Sequence, residues 1–329
     1  MNAPPVPRRL VWIRTDRLGE TLLNIPAIVA LKACLPRLSL TMLVHETLAP
    51  LMRTVPGVEE VVADAPEAEQ RLWSRASGLA RRLRQRRFDA AVVSNAKKEL
   101  HAAIWLAGIA MRIGYDRKWS CLLTKRIQDR RALGQRHEVE CNLDLVRALG
   151  CSNPIPEWPA FRLDVEREEI AGLLAHRGIG PGEPIVAAHP WTSNSAKQWP
   201  VTRFRRLFQV AADRAAVVLV GGAEEAGRAP EVMPHGTNRV VNLVGQLSLT
   251  HTAALLARSR VLVSNDSGPV HLAAAVQTPT IVLFGSTHPS TGPARWGPWG
   301  QGHTVIDRAS MDAITVEDVL AALAPFLHA

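Results

Sequence analysis

The feature that most constrains this chain is a strand–turn–helix–strand pattern near its C-terminal end. An apolar stretch at 261–263 leads into a polar turn, a helix begins at Ser267-Gly268-Pro269, and a second apolar stretch follows at 280–284. Serine is favourable at a helix start, and proline fits the first helical position. The pattern predicts an α/β fold whose helix directs unpaired N–H groups toward the sheet edge, a position that suits a phosphate.

Polar residues flank that turn and suit a sugar attached to the phosphate. Asp266 would hold sugar hydroxyls, and the backbone N–H groups of Ser267, Gly268 and Val270 would face a diphosphate. In the alternative interpretation, the turn only caps an ordinary helix. His271 is either a contact to phosphate or sugar or a structural histidine of the helix.

Apolar strands and helices alternate along the whole chain, which predicts parallel sheets covered by helices on both faces. Strands are predicted at 10–13, 40–44, 58–62 and 90–93 and near Ile185, Val217, Val240, Val261 and Ile281. Helices are predicted at 21–35, 71–87, 100–110, 137–149 and 166–176. A proline-rich segment at 151–160 separates the halves, so we predict two Rossmann-like domains, 1–155 and 156–329, with a ligand cleft between them.

Composition excludes several classes of protein. With 47% apolar residues the chain is predicted to be globular, and no apolar run approaches the roughly 18–20 residues of a membrane span. The first strand–helix turn has one glycine rather than the Gly-x-Gly-x-x-Gly of dinucleotide oxidoreductases. No cysteines form a Cys-x-x-Cys pair, so reduced thiols of a cytoplasmic protein are expected at Cys34, Cys121, Cys141 and Cys151.

Two further segments place polar residues directly after an apolar strand. Residues 14–26 read Arg-Thr-Asp-Arg-Leu-Gly-Glu-Thr-Leu-Leu-Asn-Ile-Pro, and residues 189–200 read His-Pro-Trp-Thr-Ser-Asn-Ser-Ala-Lys-Gln-Trp-Pro. Together with Ser-Asn-Asp-Ser-Gly-Pro-Val-His-Leu-Ala-Ala-Ala at 264–275, they resemble glycosyltransferase family 9, the ADP-heptose:lipopolysaccharide heptosyltransferases. All three occur in the family's order over nearly the whole chain, which makes the set far more specific than any one segment.

The resemblance implies the two-domain GT-B fold, with parallel sheets facing a central cleft and the last helix, at 316–327, packing back on the first domain. It implies an inverting glycosyltransferase that moves a heptose from ADP-heptose to a lipopolysaccharide core or related glycan hydroxyl, with no metal or other cofactor. The expected partners are a nucleotide-sugar donor and an anionic glycolipid acceptor. The expected location is cytoplasmic, with peripheral contact at the inner face of the inner membrane.

Glu20 is the candidate general base for this reaction. It follows the first strand, where a carboxylate would face the crevice at the carboxyl end of the sheet. The family's matching position is usually Asp, so this chain has a side chain one methylene longer. The alternative is that Glu20 only complements the helix dipole. Asp16 is the rival base, although pairing with an arginine is the favoured interpretation; Asp16, Arg17 and Gly19 are assigned to the acceptor side.

Lys197 is the candidate clamp for the leaving diphosphate, because a lysine beside a helix start and several hydroxyl groups suits that anion. The family's matching lysine binds the donor phosphates. Hydroxyl groups of the preceding loop are assigned to the donor: Thr192, Ser193 and Ser195. Trp199 is predicted to pack in the core. Further donor contacts are expected from the turn Ser267, Gly268, Pro269, Val270 and His271, and from Thr287 in a later loop.

Glu224 and Glu225 follow the strand near Val217 and the Gly221-Gly222 turn. Carboxylates at such positions accept hydrogen bonds from ribose hydroxyls, and the family places a nucleoside-binding acid in this region. The sequence does not decide between the two residues. An ordinary acid at a helix N-terminus is the alternative.

Charge is distributed unevenly between the halves. Residues 1–150 contain 25 Lys and Arg against 15 Asp and Glu, whereas residues 151–329 contain 14 against 15. The positive residues form two runs: Arg71, Arg75, Arg81, Arg82, Arg84, Arg86 and Arg87, and then Lys125, Arg126, Arg130, Arg131 and Arg136. They form either a solvated surface or one that attracts anionic lipid headgroups or a phosphorylated glycolipid. Nucleic acid is disfavoured, because no reading motif accompanies them and the chain has one Tyr and six Phe for stacking.

Three alternatives share this sequence pattern. A nucleotide-sugar epimerase and a transferase with another donor sugar would use the same architecture. A catalytically silent glycolipid-binding homologue would keep the fold while the Asp-to-Glu change at Glu20 removed activity.

Overall fold

A computed structural model describes residues 6–66, 71–152, 154–285 and 288–327. Contacts between Cα atoms divide the chain into two compact units. Unit 1 comprises Met1–Ala132 and Glu138–Ala160, and unit 2 comprises Leu133–His137 and Phe161–Ala329.

Unit 1 is built on a six-stranded parallel sheet in the order β3-β2-β1-β4-β5-β6. Its strands are β1 Arg9–Arg14, β2 Ser39–His45, β3 Glu60–Asp64, β4 Ala90–Val93, β5 Met111–Tyr115 and β6 Lys125–Ile127. Its helices are α1 Leu18–Leu22, α2 Ile25–Cys34, α3 Ala49–Arg53, α4 Leu72–Arg84, α5 Lys98–Leu106 and α6 Glu138–Ala148. Five of the six residues of β1 are buried, as expected of a central strand covered on both faces.

Unit 2 repeats this arrangement with the order β12-β11-β10-β7-β8-β9. Its strands are β7 Ile185–His189, β8 Ala216–Leu219, β9 Val240–Asn242, β10 Val261–Asn265, β11 Thr280–Phe284 and β12 Thr304–Asp307. Its helices are α7 Asp164–His176, α8 Val201–Ala211, α9 Leu249–Arg258, α10 Gly268–Ala275, α11 Pro293–Trp296 and α12 Val316–Leu327. The predicted α/β class, with two Rossmann-like parallel sheets, is confirmed.

Each sheet reverses its strand order at one place, between β1 and β4 in unit 1 and between β7 and β10 in unit 2. Ligands of open α/β sheets bind outside the carboxyl ends of the strands at such a switch point. The segment at 14–26 follows β1, the segment at 189–200 follows β7, and the segment at 264–275 follows β10. All three sequence motifs therefore lie at switch points.

Several local predictions were wrong. The helix predicted at 21–35 is two helices, α1 and α2, separated at Leu23 and Asn24. The Asn24 amide donates to the Glu20 carbonyl (2.7 Å) and its oxygen accepts from the buried Trp12 indole (2.9 Å), so this side chain takes part in the break. Strands β5, β6 and β12 were not predicted, because they are short and mix charged with apolar residues.

The expectation of four reduced cysteines is also wrong for two of them. Cys34, at the end of α2, and Cys151, after α6, form a disulfide with a Cα–Cα distance of 6.0 Å. Their separation of 117 residues conceals this proximity in the sequence. Cys121 and Cys141 are free thiols.

The last helix, α12, packs on α8 and on the β11–β12 edge of unit 2. Trp199 also belongs to this part of the core, as predicted. Its indole is fully buried, lies edge-on to Phe204 at 4.8 Å and donates to the Ile314 carbonyl (2.9 Å). The proposed packing of α12 on the first domain stays a prediction.

Candidate active site

Lys197 and Asp266, two candidate residues for binding the donor substrate, form an ion pair at the switch point of unit 2. The Lys197 ammonium donates to Asp266 Oδ2, and the side chains are 22% and 9% exposed. Burial raises the pKa of Asp266, and the charge of Lys197 and its hydrogen bond oppose that rise. The pair places one cation and one carboxylate beside the start of α10, where a phosphate-linked sugar would need both.

Asn265 fixes the loop that presents this lysine. Its Oδ1 accepts from the Trp199 N–H (3.1 Å), and its Nδ2 donates to the Pro190 carbonyl (2.7 Å). Asn265 is fully buried, so these bonds are shielded from water. The asparagine of the 264–275 segment therefore ties together both ends of the 189–200 segment.

A second hydrogen-bonded group spans the same switch point. His189 Nδ1 lies 3.1 Å from Ser267 Oγ, and its Nε2 lies 3.1 Å from Glu225 Oε2. The same Glu225 oxygen accepts from the Gly222 N–H (2.9 Å). A Cβ at Gly221 would lie 2.6 Å from that oxygen, so any larger residue there would displace the Glu225 carboxylate.

The structure thus distinguishes Glu225 from Glu224, the two acids between which the sequence did not decide. Glu225 is half-buried and hydrogen-bonded, whereas Glu224 is exposed. Burial would raise the pKa of Glu225, but the hydrogen bonds from His189 and from the Gly222 N–H outweigh burial and lower the pKa below its ordinary value. Glu225 is therefore an ionised acceptor with a defined orientation.

Helix α10 begins without a side-chain cap. Ser267 occupies the N-cap position, but its hydroxyl makes no cap hydrogen bond. The Val270 N–H donates to the Ser267 carbonyl (3.2 Å), which corrects its assignment as a free diphosphate donor. The N–H groups of Ser267 and Gly268 have no hydrogen bond within the described ranges, and Pro269 is in the first turn.

His271 is a neutral imidazole within this turn. Burial, followed by the positive charges of His137 and Lys197, lowers the pKa of His271 to about 3. Its side chain is 4% exposed, and Nδ1 has no hydrogen-bond partner among the described residues. A neutral ring can offer a hydrogen bond to a phosphate or a sugar without adding charge.

The hydroxyl loop before Lys197 is open. Ser193 and Ser195 are exposed and Thr192 is half-buried, with its hydroxyl accepting from the Asn194 N–H at 3.4 Å. These hydroxyl groups are thus accessible to a ligand. Thr287 lies outside the described residues.

At the switch point of unit 1, Glu20 lies in the first turn of α1 and Gly19 is buried beside it. Asp16 pairs with Arg14 (2.6 Å), as the favoured interpretation of this residue predicted, and Arg17 is exposed. Burial and the negative charge of Asp16 raise the pKa of Glu20 above 4.5, although its backbone N–H, Arg14 and Arg17 oppose the rise. A carboxylate with a raised pKa is a stronger base.

Sequence reasoning missed the segment after β4, the other strand of this switch point. Asn95 is 8% exposed, and neither atom of its amide has a hydrogen-bond partner in the part of the chain that the structure describes. Lys97 donates to the Thr15 carbonyl (3.2 Å), which joins this segment to the residues after β1. The signal was available, since polar residues directly follow the apolar residues of β4.

The structure also limits the interpretation of the first basic run. Four of its arginines donate to oxygens of their own unit: Arg75 to Asp64, Arg86 to Glu60, and Arg82 and Arg84 to backbone carbonyls. Arg71, Arg81 and Arg87 are exposed, as is Trp73, which lies 5.3 Å from Trp119.

The second basic run is partly internal. Arg131 is 9% exposed, pairs with Asp129 (2.9 Å) and stacks on Tyr115 at 3.8 Å. Lys125 donates to the Ala148 carbonyl (2.7 Å). Arg131 is therefore a structural residue, and neither of the two interpretations of this basic run, a solvated or a lipid-facing surface, applies to it.

Within the described ranges, no helix is both long enough and apolar enough to span a bilayer. In the same residues, no group of three or more His, Cys, Asp and Glu side chains is arranged to hold a metal ion.

Comparison with known proteins identifies relatives over most of the chain. A family model described as glycosyltransferase family 9 (heptosyltransferase) matches residues 76–319. Lipopolysaccharide heptosyltransferase 1 of Pseudomonas aeruginosa is 30% identical over 294 residues, which cover 85% of this chain and 79% of that protein.

Solved structures match over almost the whole chain. A glycosyltransferase family 9 protein of Veillonella parvula has a TM-score of 0.87 at 19% identity and covers 97% of both chains. The ADP-heptose lipopolysaccharide heptosyltransferase II of Escherichia coli has a TM-score of 0.82 at 23% identity and covers 97% of this chain and 98% of that chain. These likenesses confirm the predicted GT-B type of fold.

Proposed function

The chain belongs to glycosyltransferase family 9, and we propose that this glycosyltransferase moves a heptose from ADP-heptose to a hydroxyl of a lipopolysaccharide core or related glycan. The transfer is proposed to invert the anomeric centre and to need no metal or other cofactor. The observation that favours it most is the Lys197–Asp266 pair beside the uncapped start of α10.

The donor half of the proposal assigns a chemical task to each group of unit 2. Lys197 and the N–H groups of Ser267 and Gly268 balance the charge of the leaving diphosphate, the task that a metal performs in other transferases. Asp266 accepts from the sugar hydroxyls, and Glu225 accepts from the ribose. Two solved structures of an Escherichia coli heptosyltransferase support the donor, since one contains ADP and the other contains ADP-2-deoxy-2-fluoro heptose.

The acceptor half assigns the base to unit 1. Glu20 removes the proton from the acceptor hydroxyl, which then attacks the anomeric carbon as the bond to the diphosphate breaks. The proton ends on Glu20, and the negative charge ends on the released ADP. Burial of Glu20 supports this role because it raises the affinity of the carboxylate for that proton.

The acceptor is proposed to be an anionic glycolipid at the inner face of the inner membrane, which places the protein in the cytoplasm as a peripheral enzyme. The excess of positive charge in residues 1–150 supports this orientation. Exposed Arg71, Arg81 and Arg87, with Trp73 on α4, are the residues best placed to contact headgroups. The names of curated relatives, lipopolysaccharide heptosyltransferases of Pseudomonas and Escherichia, support the acceptor class.

The test combines purified protein with ADP-heptose and a deacylated core acceptor. ADP release only when both substrates are present is the expected result. Isomerisation of the sugar without acceptor would instead indicate an epimerase, and no turnover with intact ADP binding would indicate a silent homologue.

Thermal stabilisation by a nucleotide panel tests the donor separately, because a ligand of the folded form raises its melting temperature. ADP should stabilise more than UDP or GDP. Equal or greater stabilisation by UDP would contradict the assigned donor.

A further inference from the structure

His189 occupies the central position of unit 2 without a role in the function proposed so far. It is the last residue of β7, whose neighbours in the sheet are β8 on one side and β10 on the other. Glu225 follows β8 and Ser267 follows β10. The imidazole, 5% exposed, therefore lies between the group assigned to the nucleoside and the turn assigned to the diphosphate.

The partners of the ring determine which nitrogen carries its proton. The carboxylate of Glu225 can only accept, so Nε2–H donates to it at 3.1 Å. In the neutral ring Nδ1 is then an acceptor, and the Ser267 hydroxyl donates a hydrogen bond to it at 3.1 Å. A single side chain thus orients both groups through opposite ring atoms.

The Ser267 hydroxyl is diverted from its usual task by this contact. An N-cap serine normally accepts from a backbone N–H of the first turn. Here the hydroxyl contacts His189 Nδ1 and, at 2.9 Å, Ser264 Oγ, and no cap bond forms. His189 and Ser264 therefore fix the orientation of Ser267 at the start of α10, beside the N–H groups of Ser267 and Gly268 that are assigned to the diphosphate.

We propose that His189 is a positioning residue that links the two ends of the donor site, holding Glu225 toward the nucleoside through Nε2 and fixing Ser267 at the start of α10, beside the diphosphate, through Nδ1. This role rests on the proposed nucleotide-sugar donor. It acts through Glu225 and Ser267 rather than on the reacting atoms.

Two substitutions separate the two ring contacts. The amide of His189→Asn lies where Nδ1 lies and keeps the Ser267 contact, whereas the amide of His189→Gln reaches the Nε2 position and keeps the Glu225 contact. Binding of ADP and AMP is measured by titration calorimetry on the full chain. His189→Asn is expected to weaken both nucleotides about 10-fold, because both contain the ribose. His189→Gln is expected to weaken ADP about 10-fold and AMP much less, because the loss falls on the diphosphate end.

A matched control is His251→Asn, which breaks an exposed His–Glu pair of the same unit, with Glu169 at 2.6 Å. It should bind both nucleotides as the unsubstituted protein does. If the His189 variants do not fold, Glu225→Gln and Ser267→Ala should reproduce the Asn and the Gln pattern respectively.

The outcomes separate this role from the proposed function. An unsubstituted chain that binds neither nucleotide overturns both proposals. Tight ADP binding with the same loss of ADP and AMP in both His189 variants, or no loss in either, overturns only the role of His189.

Discussion

The switch points of the two sheets differ in how completely their polar groups are paired. In unit 2, Lys197 pairs with Asp266, and His189 connects Glu225 with Ser267. In unit 1, the carboxylate of Glu20 has no side-chain partner among the described residues, and both amide atoms of Asn95 are without one.

This difference matches the two tasks that are proposed for the units. Groups that bind a charged, rigid ligand gain from being oriented in advance, because no ordering cost is added on binding. A general base must exchange a proton with the substrate, so a strong permanent partner would lower its basicity. Unit 2 has the character of a prepared binding site, and unit 1 keeps its key carboxylate available.

The largest expected effect comes from replacing the carboxylate of Glu20. Glu20→Gln should lower kcat by about 100- to 10,000-fold, because the amide cannot accept the proton, while ADP affinity stays nearly unchanged. Steady-state rates with ADP-heptose and acceptor measure it. Glu20→Asp, which restores the usual family residue, should retain substantial activity, and an unaltered rate in the Gln variant would exclude Glu20 as the base.

Removing the central cation of unit 2 should have the next largest effect. Lys197→Met should weaken ADP binding by about 10- to 100-fold, because the diphosphate loses a charged hydrogen bond. It should also lower the free energy of unfolding by about 3 kcal/mol, because the Asp266 carboxylate is left buried and unpaired. Titration calorimetry and urea unfolding measure the two effects.

The control for this change is Arg206→Met, which breaks an exposed ion pair with Glu317 in the same unit, at 2.8 Å. Exposed pairs contribute less than about 1 kcal/mol. Equal losses of ADP affinity and of unfolding free energy in the two variants would contradict the assignment of Lys197 to the diphosphate and to a buried ion pair.

The disulfide is a further difference between the units. The described residues contain one disulfide, Cys34–Cys151, and it lies in unit 1. Cys34→Ser should lower the free energy of unfolding by about 2–4 kcal/mol, because the unfolded chain regains the freedom of a long loop. Cys121→Ser, at an exposed free thiol, is the matched control. If reductant leaves the unfolding midpoint unchanged, the bond does not form in solution.

The smallest effects come from the titration of Glu20. Because its pKa in the folded protein is raised, the protonated form favours folding, and that stability is lost as pH rises through the raised pKa. Glu20→Gln, which resembles the protonated form, should therefore raise Tm at pH 7 by about 2 °C. The activity of the unsubstituted enzyme should fall as the pH is lowered, with a midpoint above pH 4.5, the ordinary pKa of a glutamate. A midpoint at or below pH 4.5 would contradict the raised pKa of Glu20.

Much of the fold and part of the site were predictable. Long apolar runs such as residues 10–13 and 261–263 are found as buried parallel strands, because a strand covered on both faces needs apolar residues throughout. The short strands β5, β6 and β12 were missed, since their position in the sheet depends on neighbours rather than on their own residues. The contacts of His189 and Lys97 and the burial of Asn95 were missed because single polar residues after strands are common in this class of fold.

The sequence by itself determined that the chain forms two parallel sheets. It also determined that each of the three polar motifs directly follows a strand, namely β1, β7 or β10. It could not determine which polar groups meet. Lys197 and Asp266 are 69 residues apart, His189 and Ser267 are 78 apart, and the bonded cysteines are 117 apart. Those contacts exist because crossover connections bring the carboxyl ends of non-consecutive strands to one edge, and only the folded chain has that edge.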